Sequence, residues 1–194
     1  MAREEREPAR ESVMAGGRVC LRPFREDDFP GVAEWMQDPE IAPLVATAYL
    51  TPPTMEMIED CFENLMDGGG WNFAIADVQT GEYLGQAGLT MADRHARRAE
   101  LSIVLPRRRT GQGIGYEACA LLLRYGFREL KLHRVGLRVA AENERAVALY
   151  RKLGFRQEGR LRDHSWLHGH FSDTLEMGLL ESEWQESLGK GESV

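Results

Sequence analysis

The sequence predicts a single α/β domain, in which strand patterns alternate with amphipathic helix patterns along 194 residues. Two strand-like segments, 72–76 and 83–90, flank turn residues at 79–82, which is typical of a β-hairpin. An apolar strand at 99–105 runs through a glycine-rich turn into a helix predicted over 116–130. A chain of this length buries roughly two-thirds of its unfolded surface, enough for one core.

The other elements follow from caps, charge and periodicity. Residues 18–24 predict a first strand, and acids at the start of 26–37 favour a helix there. Thr54 is placed to cap a second helix, which carries apolar residues at spacings of three and four and ends at glycines 68–70. The remaining predicted elements are a strand at 134–139, a helix after Asn143, a hairpin at 166–171 and a strand at 174–180.

Charge and composition set the domain boundaries and exclude some functions. Residues 1–17 are rich in Arg and Glu and predict a mobile arm, followed by one domain over 18–184 and a tail over 185–194. The net charge of −7 argues against nucleic-acid binding, which needs a basic face.

The cysteines and histidines of the sequence indicate in which cellular compartment the protein works and whether it binds a metal. Three scattered cysteines form no CxxC pair, which favours a reducing cytoplasm. No apolar run is long enough to cross a membrane, so no membrane association is expected. No metal is expected either, since the histidines of the last hairpin lack the spacing of a metal site: His164, His168 and His170.

The glycine-rich turn at 107–115 is the most informative feature of the chain. The first N–H groups of a helix lack intrahelical partners and point at an anion, and glycines let the backbone approach phosphate oxygens. A Walker A loop needs Lys-Ser or Lys-Thr after its last glycine, and a dinucleotide fingerprint needs a third glycine; both are absent. The turn alone predicts either another kind of phosphate site or a strand-to-helix connection without a ligand.

A second motif follows the strand at 134–139. Asn143 is placed to cap a helix and Gly154 to end it. Residues 143–155 resemble, position for position, the Asn-x-x-Ala-x-x-Leu-Tyr-x-Lys-x-Gly-Phe stretch of the GNAT superfamily of acyl-CoA-dependent N-acyltransferases, and the glycine-rich turn resembles that family's pyrophosphate motif. The resemblance implies a mixed, mostly antiparallel sheet of six or seven strands with about four flanking helices, splayed at the acyl-CoA site.

The resemblance implies acetyl-CoA as co-substrate and a set of residues that bind it. Backbone groups of 103–105 would pair with the pantetheine arm, and one N–H there would polarise the thioester carbonyl. The family motif Gln/Arg-x-x-Gly-x-Gly/Ala can begin at Arg108 or Thr110. We prefer Thr110, with Gly113 and Gly115 as the glycines, because family helices usually start directly after the last glycine. The full set is Ile103, Val104, Leu105, Arg109, Thr110, Gly111, Gln112, Gly113, Ile114, Gly115, Tyr116 and Asn143.

Three consecutive arginines precede the turn: Arg107, Arg108 and Arg109. They are candidate partners for the CoA phosphates, because a guanidinium can bind two oxygens at once. The alternative is a solvated basic loop without a ligand.

The resemblance also implies which residues move protons. Tyr150 matches the family's general acid, and a phenol with an ordinary pKa near 10 can protonate a thiolate. Arg138 stands where some members carry a glutamate base, so Glu100 is predicted as the base, acting through an ordered water. The alternatives are a core tyrosine and an exposed glutamate at a strand end. Cys119 is predicted to be a core residue, so no acyl-enzyme is expected.

Further residues resemble one branch of the superfamily, which contains ribosomal-protein N-terminal and polyamine acetyltransferases. They are Leu21–Phe24 with Asp28, Trp35–Glu40, and Leu132–Val135. The branch implies a primary amine as acceptor: a protein N-terminus, a polyamine or another small amine. Glu34, Asp38 or Glu40 could pair with its ammonium group, and a homodimer is common among such proteins. A non-catalytic acyl-CoA-binding module on the same fold is the alternative function.

Overall fold

The computed structural model describes residues 14–45, 51–67 and 71–191. They contain one sheet of eight strands in the order β1-β2-β3-β4-β5-β6-β8-β7. All neighbouring strands are antiparallel except β5 and β6, which are parallel. The strands are β1 (Met14–Ala15), β2 (Val19–Arg22), β3 (Trp71–Asp77), β4 (Tyr83–Asp93), β5 (Arg98–Val104), β6 (Arg134–Ala140), β7 (Arg156–Leu167) and β8 (His170–Leu180). The predicted mixed, mostly antiparallel sheet is confirmed, with more strands than the predicted six or seven.

The described residues form six α-helices, where about four were predicted. They are α1 (Phe29–Met36), α2 (Ala42–Val45), α3 (Met55–Met66), α4 (Ile114–Arg128), α5 (Glu144–Lys152) and α6 (Glu181–Gly191). The two extra helices are the single turn α2 and the C-terminal α6. Thr54 caps α3 as predicted, because its hydroxyl accepts the Met57 N–H at 3.3 Å. The glycines predicted to end α3, residues 68–70, lie outside the described residues.

Both predicted termini need correction. Met14 and Ala15 pair with Leu21 and Cys20, so the last part of the predicted mobile arm is an edge strand; residues 1–13 lie outside the described range. Most of the predicted C-terminal tail belongs to α6, while residues 192–194 lie outside the described range. Trp184 secures this helix, since its ring lies 5.3 Å from that of Phe127 in the core.

The sheet separates two apolar layers. On one face, α4 and α5 pack on β5 and β6 through a cluster that includes Leu101, Leu122 and Leu137. On the other face, α1 and α3 pack around Trp35 and Val104. Successive residues of a strand point to opposite faces, so Leu101 and its neighbour Glu100 face different layers.

The sheet opens between β5 and β6. Their pairing comprises Arg98 with Arg134, Ala99 with Val135 and Glu100 with Gly136. Beyond that point, β5 continues along β4 as far as Val104, while β6 follows β8 as far as Ala140. The predicted splay is therefore confirmed, and the two strands diverge from Glu100 onward.

A buried ion pair ties the start of the domain together. The Arg22 guanidinium donates from Nη1 to Asp28 Oδ2 at 2.7 Å and from Nη2 to Oδ1 at 2.8 Å, and both side chains are almost fully buried. Arg22 also donates to the carbonyl of Gly81 at 3.1 Å, and Asp28 accepts the Arg25 N–H at 2.9 Å. The hydrogen bonds with Asp28 raise the pKa of Arg22. The pair thereby joins β2, the turn before α1 and the β3–β4 turn.

Asp28→Asn should lower the free energy of unfolding by about 3 kcal/mol, because it leaves the Arg22 charge buried without a counter-charge. Urea denaturation of the whole chain measures this. Arg156→Gln is the control: it removes an exposed arginine that pairs with Glu183 at 2.8 Å, and should cost less than about 1 kcal/mol. Equal losses in both variants would contradict the importance of the buried pair.

Candidate functional site

A cleft of about 750 Å³ lies between the divergent parts of β5 and β6. Its walls come from β5, the glycine-rich turn, the start of α4, the end of β6, α5 and α2. Strand residues direct backbone N–H and C=O groups to both edges, so β5 presents groups to the cleft that β6 no longer pairs. The cleft therefore offers a strand edge to an extended ligand.

Two glycines shape the turn at one end of the cleft. Gly111 and Gly113 adopt φ values of 76° and 81°, a region that other residues rarely occupy. Gly113 caps α4, and the first intrahelical bond runs from the Glu117 N–H to the Gly113 carbonyl at 3.2 Å. The N–H groups of residues 114–116 precede that bond and are oriented as anion donors. A Cβ on Gly111 would meet no atom within 4 Å, so the turn has room for a phosphate group.

The predicted start of α4 at Tyr116 is wrong by two residues, because the left-handed Gly113 already starts the helix at Ile114. Our reason for treating Gly115 as the last glycine of the motif therefore does not hold. Gly115 is buried in the first turn, and a Cβ there would lie 3.4–3.5 Å from the Leu105, Ile103 and Leu149 side chains. It thus adjoins β5 and α5.

The structure brings most predicted site residues to this cleft. Those that line it are Ile103, Val104, Leu105, Thr110, Gly111, Gly113, Gly115, Tyr116, Asn143 and Tyr150. The predicted residues outside its lining are Glu100, Arg109, Gln112 and Ile114. Ile114 packs into the core instead, and the Gln112 amide donates to the Arg108 carbonyl at 2.7 Å.

None of the three arginines before the turn lines the cleft. Arg109 forms an ion pair with Glu82 on the β3–β4 turn, and Arg108 Nη2 lies 2.7 Å from Glu34 Oε2 on α1. Their contact with the CoA phosphates stays a prediction.

Arg145 is a cleft residue that the sequence analysis missed. It lies in the first turn of α5, lines the cleft, and donates from Nη1 to Thr110 Oγ1 at 2.8 Å. Its position in the sequence, two residues after the predicted site residue Asn143, could have indicated that it lies beside the site. It places a positive charge beside the glycine turn.

Asn143 and Tyr150 occupy the α5 wall. The Asn143 side chain accepts the Ala146 N–H at 3.1 Å, which confirms the predicted cap. Tyr150 is 6% exposed, and its ring meets Phe155 edge-on at 5.9 Å. Burial raises the pKa of Tyr150 above its ordinary value, so the phenol stays a neutral O–H donor. Burial also raises the pKa of Cys119 to about 12, so this core thiol stays protonated.

Glu100 lines a second cavity of about 270 Å³, on the face of the sheet opposite α4 and α5. It is the last β5 residue that pairs with β6, so it stands where the cleft begins. Within the described residues, its carboxylate has no hydrogen-bond or ion-pair partner. Arg138 lines both the cleft and this second cavity.

Several of the remaining acids and histidines in the described ranges have partners of their own. Glu34 is paired with Arg108, and the Asp38 carboxylate accepts the Glu40 N–H at 2.9 Å. His170 Nε2 lies 2.8 Å from Glu142 Oε2 at the cleft mouth. Within residues 14–45, 51–67 and 71–191, no group of three or more His, Cys, Asp or Glu side chains could hold a metal ion. None of the helices described there is long and apolar enough to cross a membrane.

Known proteins resemble this chain over most of its length. The model of the acetyltransferase (GNAT) domain matches residues 18–156. An uncharacterized N-acetyltransferase of Bacillus licheniformis, p20, is 30% identical over 86% of this chain and 95% of its own. The spermidine N(1)-acetyltransferase of Escherichia coli K12 is 34% identical over about half of each chain, 54% of this one and 56% of its own.

A solved structure gives the same result. Spermidine N-acetyltransferase from Vibrio cholerae, in complex with CoA and spermine, superposes with a TM-score of 0.76 and 25% identity, over 87% of this chain and 98% of the other. The chain therefore belongs to the GNAT acetyltransferases and is an acyl-CoA-dependent N-acetyltransferase that uses acetyl-CoA.

Proposed function

We propose that this enzyme transfers the acetyl group of acetyl-CoA directly to a primary amine, either a small molecule, including polyamines, or a peptide N-terminus. One observation carries the proposal: Tyr150 and the glycine turn line a single cleft, and Glu100 stands where that cleft begins. The relatives named for spermidine support an amine acceptor.

The cleft can hold the donor by backbone groups alone. The N–H groups of residues 114–116 and the open turn at Gly111 suit the pyrophosphate. The free edge of β5 suits the amides of pantetheine, and an N–H on that edge would polarise the thioester carbonyl. The thioester would then lie where β5 and β6 diverge.

The proposed reaction moves three protons. Glu100 first takes one proton from the ammonium group through a water, and the neutral amine nitrogen then attacks the carbonyl carbon. The C–S bond breaks with its electron pair on sulfur, and Tyr150 donates its phenolic proton to that sulfur. The acylated nitrogen releases its remaining surplus proton to solvent, which leaves the neutral amide. Because burial raises the pKa of Tyr150, its phenolate is short-lived and regains a proton from solvent.

Two expectations go with this proposal. Within the described residues, Cys20, Cys61 and Cys119 form no disulfide, which suits a cytoplasmic location. A homodimer is expected from the resemblance to the branch. The non-catalytic alternative predicts tight acetyl-CoA binding without release of thiol, which the first assay below would reveal.

Tyr150→Phe should lower kcat by about 100-fold, because the leaving sulfur loses its proton donor. The assay follows release of CoA thiol with acetyl-CoA and a panel of amines and short peptides. Tyr125→Phe is the matched control, since that ring packs edge-on against Phe73 at 5.7 Å away from the cleft. A Tyr150→Phe enzyme with unchanged kcat would exclude the acid role. No release by the unaltered enzyme with any acceptor, despite acetyl-CoA binding, would favour the non-catalytic alternative.

Glu100→Gln should lower kcat/KM by about 100-fold at neutral pH, where the acceptor is an ammonium ion and needs a base. The deficit should shrink as the pH approaches the pKa of the acceptor, because the amine then arrives neutral. Rates from pH 7 to pH 10 measure this, with Glu129→Gln at the exposed end of α4 as control. A deficit that is constant with pH would mean that Glu100 does not act as the base.

Gly113→Ala should weaken CoA binding by about tenfold or more, because an added Cβ would lie 2.9 Å from Arg18 Nη2 and strain a left-handed turn. Calorimetry with CoA measures the affinity. Gly81→Ala is the matched control: Gly81 has a similar φ of 74° and open space around it, and it does not line the cleft. The proposed phosphate site would be refuted by equal affinities of the two variants.

A further inference from the structure

The side of the sheet opposite α4 and α5, where Glu100 lies, is called the acceptor face. Other glutamates on or beside this face each form an ion pair with an arginine. There, the Glu158 carboxylate accepts hydrogen bonds from Nη1 and Nη2 of Arg134, and Glu176 Oε1 lies 3.0 Å from Arg138 Nη2. On the neighbouring helix α1, Glu34 is paired with Arg108 at 2.7 Å. The paired arginine neutralises the charge of each of these carboxylates, so they attract a cationic ligand less strongly than an unpaired carboxylate does.

Glu100 differs from these acids. The smaller cavity is lined by three glutamates, Glu100, Glu158 and Glu176, and by three arginines, Arg98, Arg134 and Arg138. Arg98 is directed to Asp93, at 3.8 Å, and the other two arginines hold the other two glutamates. Among the described residues, Glu100 is thus the one acid of this cavity without a basic partner. The cavity offers a single negative charge to an incoming ligand.

Arg138 lies at the junction of the two cavities. It is half-exposed, on the same face as Glu100, because Gly136 pairs with Glu100 and Arg138 follows two residues later. A second ammonium group near this junction would meet a guanidinium. Because this guanidinium is paired with Glu176, no negative charge remains there to attract the second ammonium group, while a single ammonium group at Glu100 is attracted.

We infer that the acceptor is an amine with one positive charge, and that Arg138 excludes acceptors with a second ammonium group by neutralising Glu176. The inference rests on the proposed function and narrows its acceptor class to monoamines, which include a peptide N-terminus without a nearby basic group. The Arg138–Glu176 ion pair sets the specificity for the acceptor, because a Glu176 carboxylate without Arg138 would be a second binding site for an ammonium group.

The test compares two amines of equal carbon chain length, n-butylamine and 1,4-diaminobutane, as acceptors. The unaltered enzyme should have the higher kcat/KM with the monoamine. Arg138→Gln leaves Glu176 unpaired and should raise the diamine-to-monoamine ratio of kcat/KM by about fivefold, mainly through KM of the diamine. The double variant Arg138→Gln/Glu176→Gln removes both charges and should restore the original ratio.

A matched control and a binding measurement complete the design. Arg160→Gln breaks the pair of Arg160 with Asp173, which lies outside both cavities, and should leave the ratio unchanged. Calorimetric titration of the CoA-bound enzyme with each amine reports the same preference without turnover. Binding preference without acetylation would refute the proposed function and support the charge selection. A preference for the diamine in the unaltered enzyme, or an unchanged ratio in Arg138→Gln, would overturn the inference.

Discussion

The divergence of β5 and β6 after Glu100 and Gly136 is the constraint on which the site depends. A continuous sheet would satisfy every backbone group of these strands and leave no edge for a ligand. Because β5 stays with β4 and β6 with β8, the unpaired edges face each other across the cleft. The packing of α4 and α5 on one face holds the two halves of the sheet in this position. The strand edge proposed to bind the donor thus arises from strand pairing before any side chain contributes.

Local features were predictable from the sequence because their partners are close along the chain. The caps at Thr54 and Asn143 each involve an N–H three residues away, and the hairpins need only short turns. The glycine-rich turn was predicted to lead into a helix, although that helix begins at Ile114 and not two residues later at Tyr116. Such features depend on backbone conformation, which glycine and capping residues determine locally.

Features with distant partners were not predictable. Arg109 forms an ion pair with Glu82, and Arg108 forms one with Glu34. The spacing of these residues along the sequence predicts neither ion pair. Arg145 reaches Thr110 across the cleft mouth, a contact that exists only after α5 has packed beside the turn. The edge strand β1 is similar, since the turn between it and β2 is held by Glu117 on α4, whose carboxylate accepts the Arg18 N–H at 2.6 Å. The sequence thus predicted positive charge near the glycine turn, but placed it on the arginines before that turn. The tertiary contacts instead bring Arg145 to the lining of the cleft.

The positions of Tyr150 and Glu100 suggest why transfer would need no covalent intermediate. Tyr150 approaches the cleft from the α5 side, buried in the apolar layer, while Glu100 faces the opposite side of the sheet. A thioester in the opening between β5 and β6 would therefore have its sulfur near a proton donor on one side. On the other side, its carbonyl carbon would be open to an amine that loses a proton to Glu100. In this proposal, donor and acceptor meet where the sheet is open, so the divergence that would create the CoA site would also bring together the two proposed proton-transfer groups.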